Sequence, residues 1–286
     1  MIFNCKNEKV LTRVRKNDKI NIIITYFGLI WRFFIMKDTK TLAYINLFGI
    51  LGSIPKLCRE CSEAYELIKN DKISLGFKVK NGPSATLVFN NGECHIVEGV
   101  KKCSILLTFS TCEKFNGMID GTVTPIPRKG LLRVGFLLKK FMPLTDILSR
   151  YLRATDDNLK DSEFFRVSTL LMFNVITEAM AQIGNHDKIG QASASYIVNG
   201  DAKIAIKGSD VAYINADNHK LTAFHRDPDD FDAYMIFESL ELARALFDGK
   251  INAVTAVGLG QVRIGGMISM VDNLNRILDR VSFYLA

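Results

Sequence analysis

Gly130 to Arg150 reads GLLRVGFLLKKFMPLTDILSR, and Gly260 to Arg280 reads GQVRIGGMISMVDNLNRILDR. Set side by side without a gap, the stretches share Gly130/Gly260, Arg133/Arg263, Gly135/Gly265, Leu144/Leu274, Ile147/Ile277, Leu148/Leu278 and Arg150/Arg280. Val134/Ile264 is a like-for-like exchange. The separation is far longer than a solenoid period, so the match reads as a duplicated domain. Upstream, Phe109, Glu113, Asp120 and Gly121 meet Phe237, Glu241, Asp248 and Gly249. The connections between the two matched blocks differ by two residues, placed where loops tolerate insertion. Further back, Ala85-x-Leu87-x-Phe89 answers Ala202-x-Ile204-x-Ile206. Each copy therefore reads as strands, a helix ending in Asp-Gly, more strands and a closing helix.

Working outward, Thr41 to Gly52 and Pro55 to Lys69 read as helices, the second with proline in its first turn, where its missing N–H costs nothing. Ser74 to Lys80, Ser84 to Phe89 and Cys94 to Glu98 alternate and are broken by Asn81-Gly82 and Asn91-Gly92, a strong hairpin signal. Ser104 to Phe109 is a fourth strand, Cys112 to Ile119 a short helix, Thr122 to Ile126 and Leu131 to Leu138 strands, and Pro143 to Leu152 the closing helix. Arg153 to Asp161 is a polar linker. Glu163 to Ile183 is apolar on nearly every side, as a buried helix is, with Gly184 as its cap. Strands follow at 193–198, 202–206, 211–215, 221–225 and 233–237, then a helix at 240–247, strands at 251–255 and 261–268, and a helix at 271–283. The domains expected are 36–152 and 162–286, joined by 153–161.

The chain has 286 residues, 48% of them apolar, enough for two domains with sizeable cores. The net charge of +7 owes much to Lys6, Lys9, Arg13, Arg15, Lys16 and Lys19, and neither copy carries a basic stripe with interleaved aromatics. A nucleic-acid partner is therefore not expected. Six cysteines do not recur between copies, which suits reduced thiols in a cytoplasmic protein better than a disulfide framework. Residues 1–35 stand apart: a basic start leads into INIIITYFGLIWRFFIM, Ile20 to Met36. A membrane anchor through residues 20–36, a signal peptide and an over-extended start before Met36 are the three readings. The run is short for a span of about twenty residues, and no small-residue cleavage site follows.

Strands with Asn-Gly turns, a phenylalanine-ended strand, a short helix running into Asp-Gly, a G-x-x-[RK]-[VI]-x-G-like strand and an amphipathic last helix resemble the sterol carrier protein type-2 domain, here in two tandem copies. The resemblance covers most of 73–152 and 190–286. It implies an α+β fold: in each copy a mixed sheet of about five strands with helices on one face, enclosing an apolar tunnel. It further implies non-enzymatic binding or transfer of a lipid, sterol or fatty acyl ligand, without a cofactor or metal. Transient membrane contact and oligomeric state stay open. The wall residues expected are Phe115, Met118, Phe136, Leu138, Phe141 and Met142 in the first copy, and Leu246, Met267, Ile268, Met270, Val271 and Leu274 in the second. Methionine adapts to irregular apolar shapes, which suits such a wall. The alternative is a structural or interaction module with filled cores that assembles with an enzyme.

Other motifs read as structure. Cys58-x-x-Cys61 lacks a partnering pair or nearby histidine for zinc. Gly258-x-Gly260 with Gly265-Gly266 flanks a strand and misses the dinucleotide spacing. The DPDDFD run, Asp227 to Asp232, lacks the glycine and distal glutamate of a calcium loop. His95, His186, His219 and His225 have no nucleophile at recognisable spacing. Arg133 and Arg263 are expected to pair with Asp120 and Asp248 or lie solvated, with a head group at a tunnel mouth as the alternative.

Overall fold

The capping of one short helix explains much of the internal similarity. In the computed structural model, which describes residues 37–285, Thr111 and Ser239 are N-caps whose side chains accept from the amides of Lys114 and Leu242. Glu113 and Glu241, second in each helix, accept from their own amides and from the cap hydroxyls, which holds both carboxyls below the usual range. At the other end Asp120 and Asp248 are C-caps, and Gly121 and Gly249 take the left-handed conformation that stops the helix (φ 73° and 68°). The matched Phe-Glu-Asp-Gly quartet is thus one strand end plus one helix, start to stop.

The first half comprises α1 (Thr39–Glu60, with an internal π turn), α2 (Ser62–Ile68), β1 (Lys72–Val79), β2 (Ser84–Asn90), β3 (Glu93–Glu98), β4 (Ile105–Phe109), α3 (Cys112–Ile119), β5 (Pro127–Lys129) and α4 (Met142–Leu152). The second comprises α5 (Ser162–His186), α6 (Lys188–Ala194), β6 (Gly200–Ile206), β7 (Asp210–Asp217), β8 (Lys220–Phe224), β9 (Ala233–Phe237), α7 (Leu240–Phe247), α8 (Ala253–Gly258), β10 (Val262–Gly266) and α9 (Ile268–Leu285). Each half has a five-stranded mixed sheet, ordered β3-β2-β1-β4-β5 and β8-β7-β6-β9-β10. In both, the third strand from the edge pairs antiparallel with one neighbour and parallel with the other. This is the α+β architecture expected.

Registers fix which residues correspond. Phe77 lies opposite Ala85 and Phe109 opposite Val79; Ile204 lies opposite Ala212 and Phe237 opposite Ile206. Hence Ala85, Leu87 and Phe89 of β2 answer Ala212, Ile214 and Ala216 of β7. The expected match to Ala202, Ile204 and Ile206 is one strand out: those residues answer Leu75, Phe77 and Val79. Alternation is the same on every half-buried strand, so it cannot say which neighbour is which.

The ungapped match of Gly130 to Gly260 also needs correcting. Lys129 lies opposite Leu106 and Gly265 opposite Tyr234, so Gly130 corresponds to Gly266. Both glycines are left-handed and pressed on the preceding strand: a Cβ on Gly130 would meet the Ser104 carbonyl at 2.6 Å, and one on Gly266 the Asp232 carbonyl. Between Gly249 and Gly266 the second half has eight residues more than the first has between Gly121 and Gly130. Between Gly266 and Leu274 it has six fewer than the first has between Gly130 and Leu144. The two changes nearly cancel, leaving only the two-residue slip visible in the sequence.

The extra residues have identifiable structures. In the second half they include α8, where a strand was expected at 251–255; Asn252 caps it by accepting from the Thr255 amide. In the first half, 131–138 is not a strand. After Gly130 the chain makes a 3-10 turn (Leu131–Arg133), a helical turn (Val134–Phe136) and a π turn (Leu137–Phe141) before α4. Residues 122–126 carry no strand either, since pairing to β4 is confined to Pro127–Lys129. Residues 193–198 end α6 and turn, instead of forming a strand. Gly184 lies inside α5, and Asp187 caps it. That glycine lets α5 approach β8, because a Cβ there would strike Leu221.

Helices α1 and α5 are long and apolar enough to span a membrane by length and composition, and most of each is buried inside the protein. They pack on one another: Gly49 brings α1 close to the Val175 carbonyl. Ile45 of α1 belongs to the second core, and Val167 and Leu171 of α5 to the first. The N-terminal readings at residues 1–35 and 20–36 lie outside the described residues.

Candidate functional site

The space between each sheet and its closing helix is where a ligand was expected, and the halves treat it differently. In the first half Phe115, Phe136 and Phe141 are buried. Phe136 packs on Phe89 with ring centroids 5.4 Å apart, and Phe141 on Phe77 at 5.9 Å. Phe115 meets both Phe77 and Phe109 edge-on, and Met118 packs partly buried against the same core. Leu138 and Met142 point the other way and are exposed. Three of the six expected wall residues therefore stack into solid filling, and two are on the outside. The turns at Leu131–Phe141 put them there: Phe136, Leu137 and Phe141 go under the helix, and Leu131, Leu132 and Leu138 go out.

In the second half Met270, Val271 and Leu274 are buried under α9, Leu246 is partly buried, and Met267 and Ile268 are exposed at the start of the helix. The core face is lined by smaller residues. By register, Leu75, Phe89, Ile96 and Ile105 of the first sheet become Ala202, Ala216, Ala223 and Ala233. Phe115 becomes Ala243. Part of the volume is recovered by the close approach of α5 at Gly184.

Sequence reasoning missed the edge beside β10. Val262 lies opposite Phe237, Ile264 opposite Met235 and Gly266 opposite Ala233. Directly paired residues share a face, and Phe237, Val262 and Ala233 are buried core residues. Ile264 and Met235 therefore face the core side too, yet Ile264 is 39% exposed and Met235 only partly buried. Val254 and Val257 of α8, with Met267 and Ile268 where the chain enters α9, are exposed apolar side chains. α9 starts two residues after Gly266, with no counterpart of the Phe136 turn in between. The alternation Val262-x-Ile264-x-Gly266 was the signal, hidden by reading the strand through Ile268.

Polar groups cluster where the halves meet. Lys56 of α1 pairs with Asp210 of β7. Nearby, Glu178 of α5 stands 4.0 Å from His225, which follows β8. Burial pushes the Glu178 carboxyl up to about 7, against a hydrogen bond from Gln182. Burial, then the charge of Lys56, pulls His225 down to about 4. Arg244 of α7, 5% exposed, donates to Asp248 and to Ser168 Oγ, which donates to the Tyr151 carbonyl. In the same position of the first half, Asn116 binds Asn46 and the Thr39 carbonyl. Asp187 accepts from the amides of Ile189 and Gly190, from Arg280 (2.9 Å) and from Tyr284 (2.7 Å), tying α9 to the α5–α6 corner. Burial raises its carboxyl, but Arg280, the Gly190 amide and Tyr284 together hold it below the usual range.

The remaining motifs fall into structural roles. Cys58 and Cys94 touch in the first core, at the place taken by Gly184 and Leu221 in the second. No cluster of three potential metal ligands occurs among the described residues. Asp227 pairs with Lys203, and Asp232 accepts from the Asp201 amide. Arg263 pairs with Glu238 instead of Asp248, whose partners are Arg244 and Lys250; Arg133 is exposed.

No family model matches the chain, and no curated protein matches it. Among solved structures, it is similar to a UbiJ-SCP2 ubiquinone synthesis protein, with 15% identity over 39% of this chain and 95% of that one, TM-score 0.31. It is also similar to sterol carrier protein domain 2 of Helicoverpa armigera, with 20% identity over 43% and 92%, TM-score 0.32. A third is sterol carrier protein 2 of Yarrowia lipolytica in its apo form, with 18% identity over 37% and 88%, TM-score 0.29. Each match covers less than half of this chain and most of a single sterol carrier domain. The α+β assignment itself rests on the two five-stranded mixed sheets and their helices.

Proposed function

We propose that the protein is a non-enzymatic carrier that holds a lipid, sterol or fatty acyl chain against the core face of the second sheet, admitted beside β10. One observation carries this reading: Ile264 lies opposite Met235 on the core side of the sheet edge and is still 39% exposed. Apolar surface left open at such a place is recovered from water when an apolar guest lies on it. Val257, Met267 and Ile268 form the rim, and flexible methionines suit guests of several shapes. The first half serves as a filled scaffold, since Phe136 and Phe141 occupy its interior. We extend the proposal to a reducing cytoplasmic setting, supported by Cys58, Cys61, Cys94, Cys103 and Cys112 all being buried free thiols.

The test is organic extraction of the purified full chain with mass spectrometry, and titration with a fluorescent fatty acid. Ile264→Asp is expected to weaken binding at least ~10-fold, because a charge at an apolar contact costs over a kcal/mol. Leu138→Asp, at an exposed site of the first half, is expected to leave it unchanged. Absence of extracted lipid together with absence of titratable binding would refute the carrier reading, and sensitivity to the first-half change alone would relocate the site.

A further inference from the structure

From Gly121 to Thr145 the chain contains no Asp or Glu, yet it holds Arg128, Lys129, Arg133, Lys139 and Lys140. Within that stretch Leu131 is 64% exposed and Leu132 fully so, at 103%. Leu138 and Met142 are exposed as well. The cause is local: left-handed Gly130, held against Ser104, turns the chain off the sheet edge, and the next two leucines fall on a 3-10 turn outside the core. Lys129 donates to the Cys103 carbonyl at 2.7 Å, and Lys140 is engaged by Asp71 and the Leu67 carbonyl. Arg128, Arg133 and Lys139 are exposed and make no ion pair among the described residues; the same holds for Lys101 and Lys102 on the adjacent loop. Lys102, Lys129, Leu131, Leu132 and Arg133 line one open groove of about 500 Å³. After Gly266 the second half has no such turn, and Arg263 on its last strand is paired with Glu238.

We infer that this face docks on the surface of an anionic phospholipid bilayer, with Leu131 and Leu132 entering the interface and Arg128, Arg133, Lys102 and Lys139 meeting head-group phosphates. Paired exposed leucines in one groove with unneutralised Lys102 and Arg133 match that boundary, where an apolar layer lies just under a negative one. A nucleic acid would satisfy the cations and leave the leucines in water. The surface lies in the first half, apart from the β10 edge, so this proposal and the carrier reading stand or fall separately.

The experiment places an indole at the contact: Leu132→Trp in a Trp31→Phe background of the full chain, Trp31 lying outside the described residues. Fluorescence is read with vesicles of brominated phosphatidylcholine, with and without phosphatidylglycerol. Quenching on the anionic vesicles is expected, with little on neutral ones. Adding Arg133→Glu and Lys139→Glu, both exposed, should weaken vesicle affinity about 30-fold or more, at roughly fivefold per charge and more for reversal. The apolar stretch at residues 20–36 is identical in these proteins, so any anchoring there is common to them all. Unquenched fluorescence on anionic vesicles overturns the inference. So does equal quenching on neutral vesicles that ignores the charge reversals, or retention on single-stranded RNA without quenching on vesicles.

Discussion

Under the closing helix of the first half, Phe136 and Phe141 stack on Phe89 and Phe77; under that of the second, alanines line the sheet and Ile264 is left open at its edge. The strand order is the same, so topology did not decide which interior was filled. Six residues between the last strand and the helix did. Where they are present, they tuck two rings inward and lift two leucines outward. Where they are absent, the edge stays uncovered and the arginine beside it is neutralised by Glu238. A small change in loop length thus separates a plugged half with a sticky cationic outside from an open-edged half without one.

The sharpest way to break this comparison is at the helix corners. In the second half the corner rests on buried Asp187, which receives four donors; in the first the same position is Cys61, which caps nothing with its side chain. Asp187→Ala strands Arg280 and removes the cap, and should cost ~3–5 kcal/mol in urea denaturation. Cys61→Ala should cost only ~1 kcal/mol. Equal costs would show that the corners are held alike by packing. Next comes the filling itself. Phe136→Ala should destabilise by ~3 kcal/mol, as large-to-small core changes do, whereas Ile268→Ala, 64% exposed, should stay within ~0.5 kcal/mol. A small effect of Phe136→Ala would mean that the first interior tolerates a hole and is not a plug.

The last comparison concerns Glu178, whose folded-state carboxyl lies near 7, above its ordinary 4.5. A raised carboxyl favours the protonated fold, so its contribution is fully present below 4.5 and is lost as pH rises through 7. Glu178→Gln should match the parent at pH 4 and exceed it by ~2 kcal/mol at pH 8, measured as denaturation midpoints. His225 works in the opposite sense: held down to about 4, it stabilises above its ordinary 6.5 and loses that as pH falls. It is unchanged by the substitution, so the difference between the two proteins isolates Glu178. A Gln variant weaker at pH 8 would mean that the ionised carboxylate is kept by the histidine 4.0 Å away.

What the sequence disclosed follows from range. Helices 112–119 and 240–247 are legible to the residue because the N-cap hydroxyl and the Asp-Gly stop lie within a few positions of one another. The hairpins are legible because Asn81, Asn91 and Gly92 take the left-handed conformation their turns demand. The six-residue and eight-residue differences were not, because they offset each other and let a strand glycine and a helix Leu-Ile-Leu pattern align under one shift. Nor could the interior be read. Whether Phe136 or Leu138 points under the helix depends on a π turn, and whether α5 sits close to β8 depends on Gly184 meeting a strand that lies 37 positions later. Asp187 and Arg280 are separated still further and are joined only by the fold.

Ile45 is buried in the second core, while Val167 and Leu171 complete the first. During synthesis, the leading half therefore cannot seal when its own last helix has left the ribosome. It waits, with greasy surface showing, until some twenty further residues emerge, at about 5–20 residues per second. Cutting the chain at residues 153–161 would leave each fragment with a gap its sibling was meant to stop, so the pair is best regarded as two rooms sharing one wall.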